Sequence, residues 1–210
     1  MVRTVKLPYA TVPQAAEIIA QWRKAQSVVI RTAYNRVREG KKDKEILEQL
    51  RAMPQGRLDS WLTLSALKRA RALHRANPER VVIFGGRHNF HLRAQGKITA
   101  DEWKAQRLLP LYFEGHAKSY GKQGGNYRFE LDIERNTVWF YPKAKVGFPL
   151  QIKLGKKSNY RELLEELQLR CTRHRDIPFT VSLTQTDICI SWDEKVKPVK
   201  RRTDPDRVLA

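Results

Sequence analysis

The sequence is short of acid. Against 41 lysines and arginines stand 22 aspartates and glutamates, a formal net charge of +19 over 210 residues. A compact chain with that excess repels itself, so the imbalance calls for a polyanionic partner. Nucleic acid is the first candidate and an anionic membrane surface the second. Long apolar runs are missing too: no stretch of 18 apolar residues occurs, which excludes a transmembrane helix, and the N-terminus has no apolar signal core. Cysteine is scarce. Cys171 and Cys189 are the two, without a CxxC partner or a histidine at ligand spacing, so they read as reduced buried thiols rather than a zinc site or a disulfide framework. His74, His88, His91, His116 and His174 form no ligand spacing, and no nucleophile stands near a base. Asp43, Glu45, Glu48, Glu162, Glu165 and Glu166 fall beside lysine or arginine. Helical pairing and solubility account for them, and they do not make the carboxylate cluster that two-metal phosphodiester cleavage requires. Internal repeats and low-complexity segments are absent.

What is present centres on the stretch from Val81 to Tyr112. A short apolar run, Val81 to Phe84, stops at Gly85-Gly86, which marks a sharp turn or a close approach. Cations then alternate with rings through Arg87, His88, Phe90, His91 and Arg93. Such a mixture beside a glycine turn suits phosphates and stacked bases, although a plain surface loop would look similar. Gly96 resets the chain, and Thr99 with Glu102 fits a capping box that opens a short helix.

The rest of the chain has a clear texture. Val2 to Leu7 alternates as a strand ended by Pro8. Thr11 and Gln14, with Pro13 in the first turn, open a helix whose apolar positions run from Ala15 through Ile18, Ile19, Trp22, Ala25, Val29, Ile30 and Ala33 to Val37, and which stops at Gly40. Lys41 to Met53 reads as a short charged helix. Leu58 to Ala76 is a second strong helix, with Trp61 and Ser65 near its apolar face and Lys68, Arg69, Arg71 and Arg75 largely opposite. Recurrent basic faces with few balancing acids favour phosphate contact. After the glycine-rich turn from Gly121 to Asn126, strands are expected at Tyr127 to Ile133, Thr137 to Tyr141 and Leu150 to Leu154. A helix capped by Ser158 should carry Leu163, Leu164, Leu167 and Cys171, and Phe179 to Leu183 should pair with Asp187 to Trp192. Lysines concentrate between residues 143 and 157. The expected class is α+β: a small β-barrel whose first strand pairs with later ones, interrupted by a helical insertion.

These motifs resemble a family, the transposon-encoded TnpB nucleases and their relatives, the compact type V CRISPR effectors. The likeness rests on the opening strand with Pro8-Tyr9, on Ala33-Tyr34-Asn35, on Phe84-Gly85-Gly86 with Asn89-Phe90, and on Arg93, Gly96 to Thr99, Trp103 and Arg107. Gly125-Asn126 with Phe129 completes it. It covers essentially the whole chain, the middle third most specifically. The resemblance implies a first wedge strand at 1–10, a helical recognition domain at 11–118, a wedge β-barrel with one helix at 119–194 and a basic linker at 195–210. It implies guide RNA and target DNA as partners, with no membrane, in a prokaryotic cytoplasm at the nucleoid.

Under that reading Arg87, His88, Phe90, Arg93, Lys143, Lys145, Lys153, Lys156 and Lys157 are candidates for RNA contact. Ser60, Trp61, Ser65, Lys68 and Asn126 are candidates for a short target-adjacent DNA duplex. Sequence reading would be delegated to base pairing. In the family the following RuvC nuclease domain begins on a strand whose aspartate binds magnesium. This sequence stops at Arg207-Val208-Leu209-Ala210, short of that residue. Catalytic residues are therefore expected on a RuvC half, on the same or a separate chain, and no metal or other cofactor in this one. Two alternatives remain: a nuclease-dead RNA-guided regulator, and a general basic RNA-binding protein.

Overall fold

A computed structural model of the chain describes residues 2–116, 125–155, 159–174 and 177–194. Seven strands make one curled antiparallel sheet, a half-barrel, in the order β2-β6-β7-β1-β5-β4-β3. They are β1 (Val2–Thr11), β2 (Leu111–Phe113), β3 (Phe129–Asp132), β4 (Thr137–Lys143), β5 (Val146–Ile152), β6 (Phe179–Leu183) and β7 (Asp187–Asp193). Five helices lie between the first two strands: α1 (Pro13–Arg38), α2 (Asp43–Ala52), α3 (Ser60–Ala76), α4 (Arg87–Ala94) and α5 (Ala100–Gln106). The sixth, α6 (Tyr160–His174), lies between β5 and β6.

The first strand is the middle of the sheet, and it changes partner along its length. Val2 to Pro8 pair with β7, and Tyr9 to Thr11 pair with β5. The change falls at Pro8, which has no N–H to donate; its carbonyl accepts from the Lys153 amide at 2.9 Å, while the Tyr9 amide donates to Thr186 O at 3.0 Å. The strand expected to end at Pro8 therefore runs on to Thr11. A capping box was expected from Thr11, but that residue belongs to the strand, where its hydroxyl donates to Pro149 O at 2.8 Å. Helix α1 starts instead after Val12 with no side-chain cap, and Pro13 fills its first turn.

Three further expectations are corrected. The strand placed at Leu150 to Leu154 begins at Val146, because a two-residue turn at Ala144-Lys145, with Lys145 at φ 65°, folds it directly onto β4. The segment from Arg87 to Ala94, read as a turn or loop, is a helix that starts after Gly86. Leu111 to Phe113, counted within the helical insertion, is a strand on β6. The Thr99–Glu102 capping box is present in both directions. The expected cap at Ser158 lies outside the described residues.

Two apolar cores meet along α1. Its first half places Ile19 and Trp22 among the inward residues of the sheet, where Trp22 meets Phe140 edge-on with ring centroids 5.8 Å apart. Its second half packs Val29, Ile30, Ala33 and Val37 on α2 and α3, with Ile46, Leu50, Ala66 and Leu67. Between them sit polar side chains at helical spacing that hold other parts of the chain. Gln26 is buried, and its amide mimics a neighbouring strand: it accepts from Tyr112 N and donates to Tyr112 O, both at 2.6 Å. This side chain satisfies backbone groups of the short edge strand β2. Ser27 accepts from Leu109 N at 2.9 Å, and Arg23 and Arg31 donate to Leu109 O and Arg107 O. Tyr34, almost wholly buried, accepts from Val82 N at 2.9 Å and packs edge-on against Phe84. One helix thus fixes both ends of the segment that carries α4 and α5.

Candidate nucleic-acid interface

The candidate residues fall into three groups. The first is the α4–α5 hairpin, where Arg87, His88, Phe90 and Arg93 are all exposed. Arg93 donates to Ile98 O at 3.2 Å, which ties the hairpin turn. Phe90 is 46% exposed and tilts toward Trp103, with centroids 6.3 Å apart. The Arg107 guanidinium lies over the Trp103 ring at 5.5 Å. Gly85 makes this packing possible: at φ 94°, a Cβ there would stand 2.9 Å from Trp103 Cζ3. None of Arg87, His88 and Arg93 has a carboxylate partner among the described residues.

The second group lies where α3 meets the sheet. Ser60 and Trp61 line a shallow pocket with Tyr127 and Arg128. Trp61 donates from its indole to Glu114 O at 3.3 Å and meets the Tyr127 ring edge-on at 4.4 Å. Ser65 is buried and its hydroxyl accepts from Glu114 N at 3.3 Å. Lys68 pairs with the Glu114 carboxylate at 3.2 Å. Asn126 donates to Phe113 O at 3.1 Å and Phe179 O at 3.0 Å, and accepts from Arg128 N at 3.0 Å. Its one amide therefore links β2, β6 and the approach to β3, near where the curled sheet would close. Asp59 caps α3 by accepting from Leu62 N at 2.7 Å and also pairs with Arg128, which in turn donates to Tyr141 O. The five residues expected on a DNA face are thus neighbours in space. Ser65, Asn126 and the Trp61 indole N–H already use their polar groups inside the protein, so the outward part is Ser60, the exposed Lys68 beside Glu114 and the half-buried Trp61 ring.

The third group is the lysines. Lys143 and Lys145 sit at the tip of the β4–β5 hairpin, and Lys153 follows the other end of β5; all three are exposed. At ~3.3 Å per residue the two ends of β5 are separated by about 20 Å. One lysine-rich segment in sequence is thus two separate cationic points in space. Lys156 and Lys157 lie outside the described residues.

Several residues that the sequence reading did not select shape these groups. Arg128 and Asp59 are partly buried partners across the α3–sheet joint. Arg31 joins Arg107 beside the hairpin, and burial, together with the Arg107 charge, holds its guanidinium pKa below the ordinary value. Arg23 is lowered by burial in the same way, with Tyr9 opposing the shift. Tyr112 is raised, first by burial and then by Glu114. Two basic side chains at i and i+8 on a helix otherwise look like ordinary solvated charge, so periodicity alone gave no signal. Among the described residues no helix is long and apolar enough to cross a membrane. No protein-family model and no curated protein sequence matches the chain.

Proposed function

We propose that this chain is the RNA- and DNA-gripping portion of an RNA-guided nuclease of the TnpB or compact type V kind. In this reading the curled sheet is the wedge domain and α1 to α5 are the recognition helices inserted after its first strand. The observation that carries it is this insertion, combined with a charge of +19. A central first strand followed at once by a helical block suits a clamp that holds a nucleic-acid duplex between barrel and helices. A basic surface supplies backbone affinity without sequence preference. The α4–α5 hairpin and the Lys143, Lys145 and Lys153 points would contact guide RNA. Ser60, Trp61 and Lys68, beside Tyr127 and Arg128, would face the short duplex next to the target, while Ser65 and Asn126 hold that face in place. Cleavage would belong to a RuvC half carrying the magnesium-binding carboxylates, on the same or a separate chain.

The test is to purify the chain from its native genomic context and identify the RNA and protein that accompany it. One dominant structured RNA together with a carboxylate-bearing partner is the expected result. The same RNA with no nuclease partner would instead indicate an RNA-guided regulator. A heterogeneous RNA pool would leave a general basic RNA-binding protein and end the guided reading.

A further inference from the structure

Beside the hairpin, the Arg31 guanidinium reaches the backbone of a second arginine, Arg107, and no acid pairs with either among the described residues. Arg31 of α1 donates from Nη1 to the backbone carbonyl of Arg107 at 3.2 Å, and their charges interact. Neither has a carboxylate partner among the described residues. The two acids of α5 are engaged elsewhere, Asp101 with Lys104 at 2.9 Å and Glu102 with the Thr99 amide at 2.7 Å. The Nε–H of Arg107 is buried without an acceptor among the described residues. A desolvated donor of this kind costs about 1–3 kcal/mol, more when charged, and a like charge beside it adds to the penalty. An anion that accepts from both guanidiniums would offset the repulsion between them. The pair is also built in. Arg107 is gripped between the Trp103 ring and Gly85, whose missing side chain leaves room for it: a Cβ there would lie 3.0 Å from Arg107 Cγ.

The rings extend the site outward in two short steps. Arg107 lies 5.5 Å from the centre of Trp103, and Trp103 lies 6.3 Å from Phe90, which is half exposed. A cation pair followed by a ring with an open face is the arrangement that takes a backbone phosphate and a stacked base together.

We infer that Arg31 and Arg107 bind a phosphodiester of an unpaired RNA segment while an adjacent base of that segment stacks on Phe90, with Trp103 setting the distance between the two contacts. This deepens the proposed function and rests on its nucleic-acid reading. It assigns the hairpin to single-stranded rather than paired RNA. Duplex RNA keeps its bases stacked on one another and presents none to a side-chain ring.

The test is anisotropy of a labelled uridine dodecamer, and of a duplex RNA of the same length, against the full chain over a range of KCl. Arg31→Gln/Arg107→Gln should weaken single-strand binding at least tenfold at low salt and flatten the log–log salt slope by about 0.7, the one phosphate that the pair holds. The equal-charge control Lys42→Gln/Lys44→Gln, on exposed positions of the α2 region, should change the slope by less than half as much. Phe90→Leu should weaken binding about fivefold or more without altering the slope, since stacking releases no counterions. Should the arginine double variant fail to fold, photocrosslinking of a 4-thiouridine dodecamer to the unaltered chain decides the matter, with adducts expected at Phe90 or Trp103. Equal slopes for the arginine and control variants, or adducts confined to other segments, overturn the site. Loss of duplex binding in the arginine and Phe90 variants as large as their loss of single-strand binding overturns it too. Failure of the unaltered chain to bind any RNA would instead sink the nucleic-acid reading itself.

Discussion

The α3–sheet joint and the α4–α5 hairpin are both rich in polar and aromatic residues, yet they use them in opposite ways. At the joint nearly every polar group is answered by another protein group: Asp59 by Leu62 N and Arg128, Asn126 by three backbone groups, Ser65 by Glu114 N and Lys68 by the Glu114 carboxylate. At the hairpin Arg87, His88 and Arg93 have no acid among the described residues, and Phe90 has an open face. A satisfied network resists change because each removal leaves a desolvated partner behind. An unsatisfied basic surface tolerates removal and can only lose affinity for something outside. Composition cannot tell these cases apart; hydrogen-bond partners can.

The strongest way to break the comparison is at Asp59. Replacing it with alanine removes the α3 cap and leaves Arg128, whose side chain is only 20% exposed, without its partner. The expected cost is about 3–5 kcal/mol, read as a fall in the urea midpoint, most of it from the stranded charge. Asp59→Leu/Arg128→Met should recover much of that loss, because an apolar pair of similar volume avoids the desolvation. If Asp59→Ala shifted the midpoint by less than an exposed substitution normally does, the joint would not be a satisfied network.

Gly85 tests the hairpin side of the comparison. Alanine there would meet both an unfavourable φ and the Trp103 ring. A loss of about 1–3 kcal/mol is expected, with weakened RNA binding because Phe90 and Arg107 both depend on Trp103's position. Unchanged RNA affinity in a destabilised Gly85→Ala protein would detach the hairpin from binding. By contrast, Arg87→Gln/Arg93→Gln should leave the urea midpoint within about 0.5 kcal/mol while lowering the single-strand salt slope by roughly 1.4. A large stability loss with no slope change would reverse the assignments of the two regions.

Much of the architecture was legible in the sequence, because it rests on periodicities that a single segment displays. The apolar stripe from Ala15 to Val37, the alternation in β6 and β7, and the Thr99–Glu102 box all appear where local pattern places them. Two of the misreadings share a cause: a distant partner overrides the local signal. Pro8 is a strand breaker unless the strand changes neighbours there, as it does between β7 and β5. Leu111 to Phe113 is too short to announce a strand, but Gln26 supplies part of its missing ladder from a helix 86 residues away in sequence. Gln26, Ser27 and Tyr34 are not among the apolar positions read for α1, yet they are buried and hold the chain on either side of the hairpin. The same reasoning applies to the site. Arg87 to Arg93 stands out because rings and cations alternate, whereas Arg31 and Arg107 become a pair only when α1 and the end of α5 are brought together.

The smallest expected effect tests how far the joint's network reaches. Arg128 donates to the carbonyl of Tyr141, and the Tyr141 hydroxyl donates to Glu130 at 2.9 Å. Burial, then this bond to a carboxylate, pushes the Tyr141 pKa up to about 12. The folded protein therefore holds the phenolic proton more tightly than the unfolded chain, whose tyrosines titrate near 10. The resulting stabilisation is fully present below pH 10 and is lost as pH rises from about 10 through 12. The group lies near the surface, so screening should keep the contribution below about 1 kcal/mol. Other tyrosines and lysines titrate in the same window, so the informative quantity is the difference between the protein and its Tyr141→Phe variant. Their urea midpoints should run parallel from pH 7 to 9.5 and converge above pH 10, as the unaltered protein loses what the variant never had. A constant offset through pH 11.5 would show that the Tyr141–Glu130 bond does not form in solution, and the network of the joint would then end at Arg128.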